Sequence, residues 1–260
     1  MKLFGLIGYP LVHSFSKRYF TEKFEKEKIN ARYDLYELEK IELFSELKKL
    51  PELSGLNVTI PYKESILPFL DEIDETALQI GAVNVIKFSG NNKNLKLKGY
   101  NSDIVGFENS LLPYLQSYHD KALVLGTGGA SKAIVFVLKR LGIDVTLVSR
   151  TQGEGKITYE MLDKEIIERN KLIVNATPVG TFPHVEECPP IPYQFLTPQH
   201  FLFDVVYNPA QTLFLKKGKE MGANGINGEA MLIGQAEASW KIWNGEEEEV
   251  LKTNRTENFL

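Results

Sequence analysis

A glycine-rich turn between an apolar run and an amphipathic segment constrains the fold more than any other feature of the chain. Residues 121–125 read KALVL, Gly126 to Gly129 follow, and residues 131–141 have helical apolar spacing closed by Gly142. Residues 143–148 form a second apolar run. A strand, a helix and a strand in this order predict parallel strands with helices covering the sheet, and therefore an α/β fold.

The turn itself resembles a phosphate-binding loop. Gly126 would allow the tight turn, and Gly128 would let the backbone approach a pyrophosphate at the positive end of the following helix. Ser131 stands at the third glycine position, so the fingerprint is incomplete. The alternative is a tight turn without a ligand. The position between a strand and a helix favours dinucleotide binding.

The end of the next strand bears on which dinucleotide is bound. An NAD site usually has an acidic residue there for the ribose hydroxyl, but this strand ends in Ser149, Arg150 and Thr151, and Asp144 lies at its opposite end. A guanidinium can hold a phosphate through two hydrogen bonds. The pattern predicts NADP; the alternative is a solvated surface arginine.

The same alternation of short strands and helices extends over the rest of the chain. Gly90, Asn91 and Asn92 predict a hairpin turn, and Glu246 to Glu249 predict a frayed terminus because adjacent acids repel. Strands are predicted at 2–7, 32–37, 53–60, 81–88, 95–100, 171–175 and 201–206, and helices around Phe20 and Phe24, over 66–80 with breaks, and over 104–112, 213–221 and 229–243.

Composition and charge argue against nucleic acid and membranes as binding partners. The net charge is −4, and no basic stripe is present that would neutralise nucleic-acid phosphates. No apolar run is long enough for a membrane span or a signal peptide, so we expect a soluble, cytoplasmic protein. Cys188 is the single cysteine, which excludes an internal disulfide. The four histidines lack ligand spacing, so no metal site is predicted.

Polar residues at the predicted strand and helix ends of the first hundred residues suggest a small-molecule site. Ser14 and Ser16 stand at a helix start, where they could cap the helix or bind a carboxylate. Asn57 and Thr59 share one face of a strand, and Lys63 follows at its carboxyl end. His13, by itself, is interpreted as structural.

Asp103 precedes a predicted helix, where it could serve simply as an N-cap. Asn84 and the segment from Gly99 to Asp103 add polar groups at other strand or loop ends.

Taken together, these segments resemble the shikimate dehydrogenase family from about residue 5 to residue 245. Their order and spacing are more specific than any one of them. The segments are SFS (14–16), NVTIPYK (57–63), GAVN (81–84), NSD (101–103), GTGGAS (126–131), SRT (149–151), NATPVG (175–180), DVVYNP (204–209) and NGEAMLIGQ (227–235).

The resemblance implies reversible NADP-dependent reduction of 3-dehydroshikimate to shikimate in aromatic amino-acid and chorismate biosynthesis. By motif, it implies that Lys63 and Asp103 form the catalytic pair. The substrate-binding residues that it implies are Ser14, Ser16, Asn57, Thr59, Lys63, Asn84, Asp103, Tyr207 and Gln235, with Asn57 in a supporting role. The cofactor-binding residues that it implies are Gly126, Thr127, Gly128, Gly129, Ala130, Ser131, Ser149, Arg150, Thr151, Ala176, Thr177, Val205 and Gly228.

The resemblance also implies two α/β domains with a cleft between them: a mixed-sheet substrate domain and a Rossmann-like nucleotide-binding domain. We expect residues 1–102 plus 236–260 in the first and residues 103–235 in the second, as a monomer or homodimer. Two helices, one that starts at Asp103 and one that contains Gln235, would then pass from one domain to the other.

The chain departs from the family pattern at several positions. Lys17 replaces a common proline, Ser102 a threonine, and Pro178 a frequent serine. After Thr151 the usual helix is expected to be trimmed or absent.

The charges after Thr151 also bear on the cofactor. Lys156 could supply a second basic charge, but Glu154 lies closer to Arg150 and would oppose a phosphate. The segment therefore predicts a weaker NADP preference than is usual. The alternatives are an NAD-preferring quinate or shikimate dehydrogenase, a non-catalytic nucleotide-binding regulator of the same fold, and a folate dehydrogenase of similar architecture, which the Ser14 and Lys63 segments disfavour.

Overall fold

A computed structural model describes residues 1–11, 14–90 and 94–252, with side chains described up to residue 250. His13, interpreted above as structural, and Asn91 and Asn92 of the predicted hairpin turn lie outside these ranges. The chain divides into two compact units. The first is Met1–Val105 together with Gln235–Leu260, and the second is Gly106–Gly234.

The first unit contains a six-stranded mixed sheet. Its order is β2-β1-β3-β5-β6-β4, in which β5 pairs antiparallel with β3 and β6 and the other pairs are parallel. This confirms the predicted mixed sheet. The elements are β1 Lys2–Gly8, α1 Phe15–Lys26, β2 Ala31–Glu37, α2 Phe44–Leu47, β3 Leu53–Val58, β4 Glu72–Ile73, α3 Glu75–Ile80, β5 Val85–Ser89, β6 Lys96–Tyr100 and α4 Asp103–Leu111. The part of α4 after Val105 belongs to the second unit.

The segment 66–80 is less helical than its apolar spacing predicts. A 3₁₀ turn, Leu67–Phe69, contains Pro68, whose backbone nitrogen carries no hydrogen and therefore cannot donate a hydrogen bond. Strand β4 follows and pairs with β6, and only α3 is α-helical. Pairing with a neighbouring strand, which is a long-range contact, overrides the local pattern here.

The second unit contains a fully parallel sheet of order β12-β11-β10-β7-β8-β9. Counted from β7, this is the doubly wound order 3-2-1-4-5-6, which reverses between β7 and β10. The remaining elements in chain order are β7 Lys121–Leu125, α5 Gly129–Arg140, β8 Asp144–Ser149, β9 Lys156–Thr158, α6 Lys164–Arg169, β10 Leu172–Asn175, β11 Phe201–Asp204, α7 Leu213–Glu220, β12 Asn224–Ile226, α8 Glu229–Trp243 and α9 Glu247–Lys252. Of these, α8 from Gln235 onward and α9 belong to the first unit.

The acidic run near the C-terminus was predicted to fray, and this prediction is wrong for its described part. The run begins helix α9, because Glu247 pairs with Lys87 at 2.8 Å and Glu249 pairs with Lys241 at 3.0 Å. Acidic residues also suit the positive amino-terminal end of a helix. Within the part of the chain that the structure describes, no helix is long and apolar enough to cross a membrane.

Aromatic packing fixes the face of α8 against the first sheet. The Trp243 ring stacks on Phe4 with centroids 4.7 Å apart, and its indole N–H donates to the Ile86 carbonyl at 3.1 Å. Gly55 on β3 lies directly under this ring, where a side chain would collide with the indole. Trp243 therefore holds in place the helix that carries Gln235.

Candidate functional site

A buried ion pair lies at the centre of the first unit's polar cluster. Lys63 Nζ lies 2.6 Å from Asp103 Oδ2, and the two side chains are 15% and 3% exposed. The Lys63 carbonyl accepts the Val83 backbone N–H at 2.8 Å, which ties the loop after β3 to the segment before β5. Forty residues of sequence separate the partners, so only the sheet brings them together.

Asn84 hydrogen-bonds the second carboxylate oxygen of Asp103. Its Oδ1 accepts the Ser102 backbone N–H at 2.7 Å, and this fixes the amide orientation because a backbone N–H can only donate. The Asn84 Nδ2 therefore points toward Asp103 Oδ1 at 2.9 Å. It also lies 3.2 Å from Gln235 Oε1. Asp103 thus receives hydrogen bonds at both carboxylate oxygens.

The N-cap interpretation of Asp103 is wrong. Helix α4 begins at Asp103 itself, and the Asp103 backbone N–H donates to Asn101 Oδ1 at 3.1 Å. The Asn101 amide in turn donates to the Ala82 carbonyl at 2.9 Å. The Asp103 carboxylate itself accepts from Lys63 and Asn84.

At α1, the capping interpretation of Ser14 is confirmed. Its Oγ accepts the Lys17 backbone N–H at 3.2 Å, which leaves the hydroxyl hydrogen able to donate elsewhere. Ser16 lies in the first turn, where its hydroxyl interacts with the Tyr33 hydroxyl. Lys17 pairs with Asp34 at 3.1 Å.

Asn57 and Thr59 differ in their surroundings. Asn57 Oδ1 accepts from the Tyr33 hydroxyl at 2.8 Å, and its Nδ2 donates to Ser239 Oγ at 2.9 Å. Thr59 is partly exposed, and its backbone N–H donates to the Ile7 carbonyl at 2.9 Å. Burial raises the pKa of Tyr33 far above its ordinary value, so the phenol stays protonated and donates.

In the second unit, the glycine turn follows β7 at the point where the strand order reverses. Gly126 has φ of +105°, and an added Cβ would lie 2.9 Å from Thr177 Cγ2. Gly128 caps α5, and an added Cβ there would meet nothing within 4 Å. The first N–H groups of α5, from Gly129 onward, have no acceptor within the helix. This open backbone in front of a helix end is a cradle that fits a pyrophosphate.

The residues after β8 form a compact turn. Ser149 Oγ accepts the Thr151 backbone N–H at 3.3 Å, and Arg150 between them is exposed. The Arg150 charge lowers the pKa of Tyr159, although burial of that phenol raises it more. No helix occurs between Thr151 and β9, as the sequence predicts, and Glu154 is exposed there.

Asp204 joins the loops after β10 and β11. Its Oδ1 accepts from Asn175 Nδ2 at 2.9 Å and from the Val206 N–H at 3.0 Å, and its Oδ2 accepts from Thr212 Oγ1 at 2.6 Å. Asn175 Oδ1 accepts from Thr177 Oγ1 at 2.6 Å. These bonds set the positions of Ala176, Thr177 and Val205.

Gly228 lies against the same loop. Its N–H donates to the Val206 carbonyl at 3.1 Å, and an added Cβ would collide with the Val205 carbonyl. Tyr207, on the loop after β11, belongs to the second unit. Among the described residues, no group of three or more His, Cys, Asp or Glu side chains could hold a metal ion.

Comparisons with known proteins give the family. The family described as "Shikimate dehydrogenase substrate binding domain" matches residues 6–86. The shikimate dehydrogenase (NADP(+)) of Caldanaerobacter subterraneus is 38% identical, and the match covers 94% of this chain and 92% of that protein. The chain belongs to the shikimate dehydrogenase family. This confirms the resemblance inferred from the sequence.

Solved structures of the family have the same fold. The crystal structure of shikimate dehydrogenase from Aquifex aeolicus matches with a TM-score of 0.84 at 34% identity, covering 99% of this chain and 98% of that one. A Thermus thermophilus shikimate 5-dehydrogenase, solved with NADP(H) and shikimate, matches with a TM-score of 0.82 at 28% identity, covering 98% of this chain and 100% of that one. The two-domain α/β fold of the family is thereby confirmed.

The structure brings together only part of the site that the family resemblance implies. Lys63, Asp103, Asn84, Gln235 and Asn57 form one continuous network with Ser239 in the first unit. Ser14, Ser16 and Thr59 belong to the same unit, and Tyr207 does not.

Sequence reasoning missed three supporting residues: Tyr33, Ser239 and Asp204. The signal for Ser239 was its spacing of four residues from Gln235, which places both on one face of α8. The signal for Asp204 was a charged residue ending an apolar strand.

Proposed function

We propose that this protein catalyses the reversible NADP-dependent reduction of 3-dehydroshikimate to shikimate. The observation that carries the proposal is the buried Lys63–Asp103 pair, 2.6 Å apart and bracketed by Asn84. Membership of the family, whose relatives include NADP(+)-dependent shikimate dehydrogenases, supports it.

Lys63 is proposed as the general acid and base of the reaction. In the reducing direction, the Lys63 ammonium donates a proton to the oxygen that becomes the secondary alcohol, and its charge stabilises the developing alkoxide. In the oxidising direction, the neutral amine takes that proton back. Asp103 holds the lysine in place through the 2.6 Å contact and can accept from a neighbouring substrate hydroxyl.

The remaining substrate contacts follow from what each group can offer. Ser14 and Ser16, at the amino-terminal end of α1, are suited to the substrate carboxylate, because hydroxyls and helix N–H groups both favour an anion. Thr59, Asn84 and Gln235 are proposed to bind the ring hydroxyls, together with Tyr207 of the second unit. Asn57 acts in support.

NADP is proposed as the cofactor, and when bound it supplies or accepts the hydride. The turn from Gly126 to Ser131 would hold its pyrophosphate, and Ser149, Arg150 and Thr151 would bind the adenosine phosphate. Ala176, Thr177, Val205 and Gly228 would contact the nicotinamide half. In this assignment, residues 1–102 plus 236–260 form the substrate domain and residues 103–235 the nucleotide domain.

One observation favours a second candidate, an NAD-using shikimate or quinate dehydrogenase. Glu154 is exposed on the short loop after Thr151, four residues from Arg150, and its charge opposes a bound phosphate.

The test is a spectrophotometric assay of the purified chain with shikimate and quinate, each against NADP and NAD. We expect the highest kcat/KM for shikimate with NADP. A higher kcat/KM with NAD would favour the second candidate. NADP binding without any acid-dependent reduction of the cofactor would overturn both and favour a non-catalytic nucleotide-binding regulator.

A further inference from the structure

A fully buried serine on α8 joins the segments that carry the proposed substrate contacts. Ser239 is 0% exposed and lies one turn after Gln235, whose carbonyl accepts its hydroxyl hydrogen at 2.8 Å. Its Oγ also lies 2.9 Å from Asn57 Nδ2 and 3.2 Å from Ser102 Oγ. One hydroxyl thus contacts β3, the segment before α4 and its own helix.

The direction of these hydrogen bonds can be derived. A carbonyl only accepts, so the single hydrogen of the Ser239 hydroxyl goes to Gln235. Ser239 Oγ can then only accept. It accepts from Asn57 Nδ2, and it accepts from Ser102 Oγ when the Ser102 hydrogen turns to it rather than to Asn84 Oδ1, which lies 3.3 Å from Ser102 Oγ. Ser102 Oγ in turn accepts from Asn84 Nδ2 at 3.1 Å. When the Ser102 hydrogen turns to Ser239, the bonds run from Asn84 through Ser102 and Ser239 to the backbone of α8.

The same logic fixes the Asn57 amide. Its Nδ2 lies 3.2 Å from the Asn84 carbonyl, which cannot donate, so both Nδ2 hydrogens are used by Asn84 and Ser239. Its Oδ1 accepts from the Tyr33 hydroxyl at 2.8 Å. Asn57 is left with acceptor capacity only and cannot donate to a substrate, which favours its supporting role.

We propose that Ser239 is a positioning residue for substrate binding, acting through Asn57 and Ser102 on Asn84. The inference rests on the proposed function, because Asn84 and Gln235 are assigned to the substrate only there. Removal of the Ser239 hydroxyl would leave a buried Asn57 amide hydrogen without its acceptor and would remove the contact of the Ser102 hydroxyl with α8. Their side chains would reorient, and Asn84 with them.

A matched control separates positioning from the loss of a helix hydrogen bond. Ser110 on α4 is also buried, at 7% exposure, and its hydroxyl donates to the Phe107 carbonyl at 2.9 Å. It lies in the second unit and takes no part in the Lys63–Asp103 network. Ser110→Ala therefore removes the same kind of bond from a different place.

The experiment compares Ser239→Ala and Ser110→Ala by steady-state kinetics of the full chain, with shikimate and NADP varied separately. We expect Ser239→Ala to raise the KM for shikimate about 5–20-fold, the effect of one buried hydrogen bond, and to leave the KM for NADP unchanged. Ser110→Ala should change neither. A shikimate KM within about twofold of wild type in Ser239→Ala overturns the proposal.

Two further variants keep the test decisive if Ser239→Ala fails to fold. Ser239→Thr retains a hydroxyl that can donate to the same Gln235 carbonyl, and its shikimate KM should be close to that of wild type. Ser102→Ala removes the hydroxyl that lies between Ser239 Oγ, at 3.2 Å, and Asn84 Nδ2, at 3.1 Å, and it leaves the Tyr33 and Ser16 hydroxyls in place. It should raise the shikimate KM by a smaller factor, and an unchanged KM overturns the proposal.

The wild-type chain in the same assay separates this inference from the proposed function. If it shows no shikimate-dependent reduction of NADP, both the proposed function and the inference fall. If wild type is active and Ser239→Ala behaves as Ser110→Ala does, only the inference falls.

Discussion

The two units each contain a buried aspartate, and the two carboxylates have different partners. Asp103, 2% exposed in the first unit, is held by the Lys63 ammonium and the Asn84 amide. Asp204, 0% exposed in the second unit, is held by three neutral donors: an amide, a backbone N–H and a hydroxyl. Burial raises the pKa of Asp204 to about 6.

The difference in partners matches a difference in proposed roles. A cation beside a carboxylate provides a proton donor that can act on a substrate. Neutral donors around a carboxylate fix loops and provide no group for proton transfer. The comparison extends to the two sites. The first is built from side chains of five separate segments, whereas the second is built largely from the backbone of one turn and the loops that Asp204 holds.

The largest expected effect comes from breaking the ion pair. Lys63→Ala should lower kcat about 10²–10⁴-fold, because the proton donor is lost, with a smaller change in the KM for shikimate. The control is Lys87→Ala, which removes a similarly buried lysine (19% exposed) that pairs with Glu247. Steady-state kinetics of the two variants are compared, and an unchanged kcat would exclude Lys63 from proton transfer.

The Asp204 carboxylate can be tested through the pH dependence of stability. Its pKa of about 6 in the folded state exceeds the ordinary 3.8, so its contribution to stability is complete below about pH 4 and is lost as pH rises through about 6. Asp204→Asn keeps an acceptor for Asn175 and Val206, does not ionise, and can donate an amide hydrogen to the Thr212 hydroxyl, which reverses that bond. We expect the variant to gain stability over wild type between about pH 4 and 7, by up to about 3 kcal/mol.

Urea unfolding across this pH range measures the difference. Asp144→Asn, at an exposed residue whose side chain is 78% accessible, is the control and should show no such trend. A constant difference between Asp204→Asn and wild type at all pH values would contradict the effect of burial.

Arg150→Ala addresses the charged side chain of the nucleotide site. It should weaken NADP binding by about 1.5–3 kcal/mol, the contribution of a charged hydrogen bond, and leave NAD binding unchanged. Arg169→Ala is the control, because Arg169 is 60% exposed and pairs within its own helix, with Glu165 at 3.5 Å. Titration calorimetry with both nucleotides gives the comparison, and equal losses for both would count against a phosphate contact.

The two glycines of the turn sharpen the contrast between backbone and side-chain sites. Gly126→Ala should destabilise the fold by about 1–3 kcal/mol, because an alanine is strained at positive φ and would press on Thr177. Gly128→Ala should cost less than about 1 kcal/mol of stability, yet weaken NADP binding by placing a methyl group where the pyrophosphate is proposed. Thermal unfolding and NADP titration distinguish the two, and an unaltered NADP affinity in Gly128→Ala would argue against the cradle.

The smallest effect concerns the start of α1. Ser14→Ala should raise the KM for shikimate and lower stability by about 1 kcal/mol, because a helix cap is lost. Ser16→Ala should raise the KM without removing the cap. Thr21→Ala, an exposed position on the same helix, is the control. Unchanged KM values would leave Ser14 as a cap only.

The sequence predicted the elements whose signals are local. The strand, turn and helix around Gly126 depend on apolar periodicity and on a residue that tolerates positive φ, and both can be read from neighbouring positions. The cap at Ser14 and the absence of a helix between Thr151 and β9 were also predicted from short stretches. The prediction for 66–80, helical with breaks, was only partly right: α3 is helical, but pairing of β4 with β6 decided the segment before it.

The site was predicted through the family resemblance as a list of residues with Lys63 and Asp103 as a pair, but the hydrogen bonds that hold them were not predicted. Tertiary structure decided that Asp103 faces Lys63 across forty residues of sequence, and that Asn84 directs its Nδ2 toward the carboxylate. It also decided that Ser239 joins Asn57 to Ser102. Such contacts depend on sheet pairing and helix packing between distant segments, and local periodicity carries no information about which distant side chains will meet.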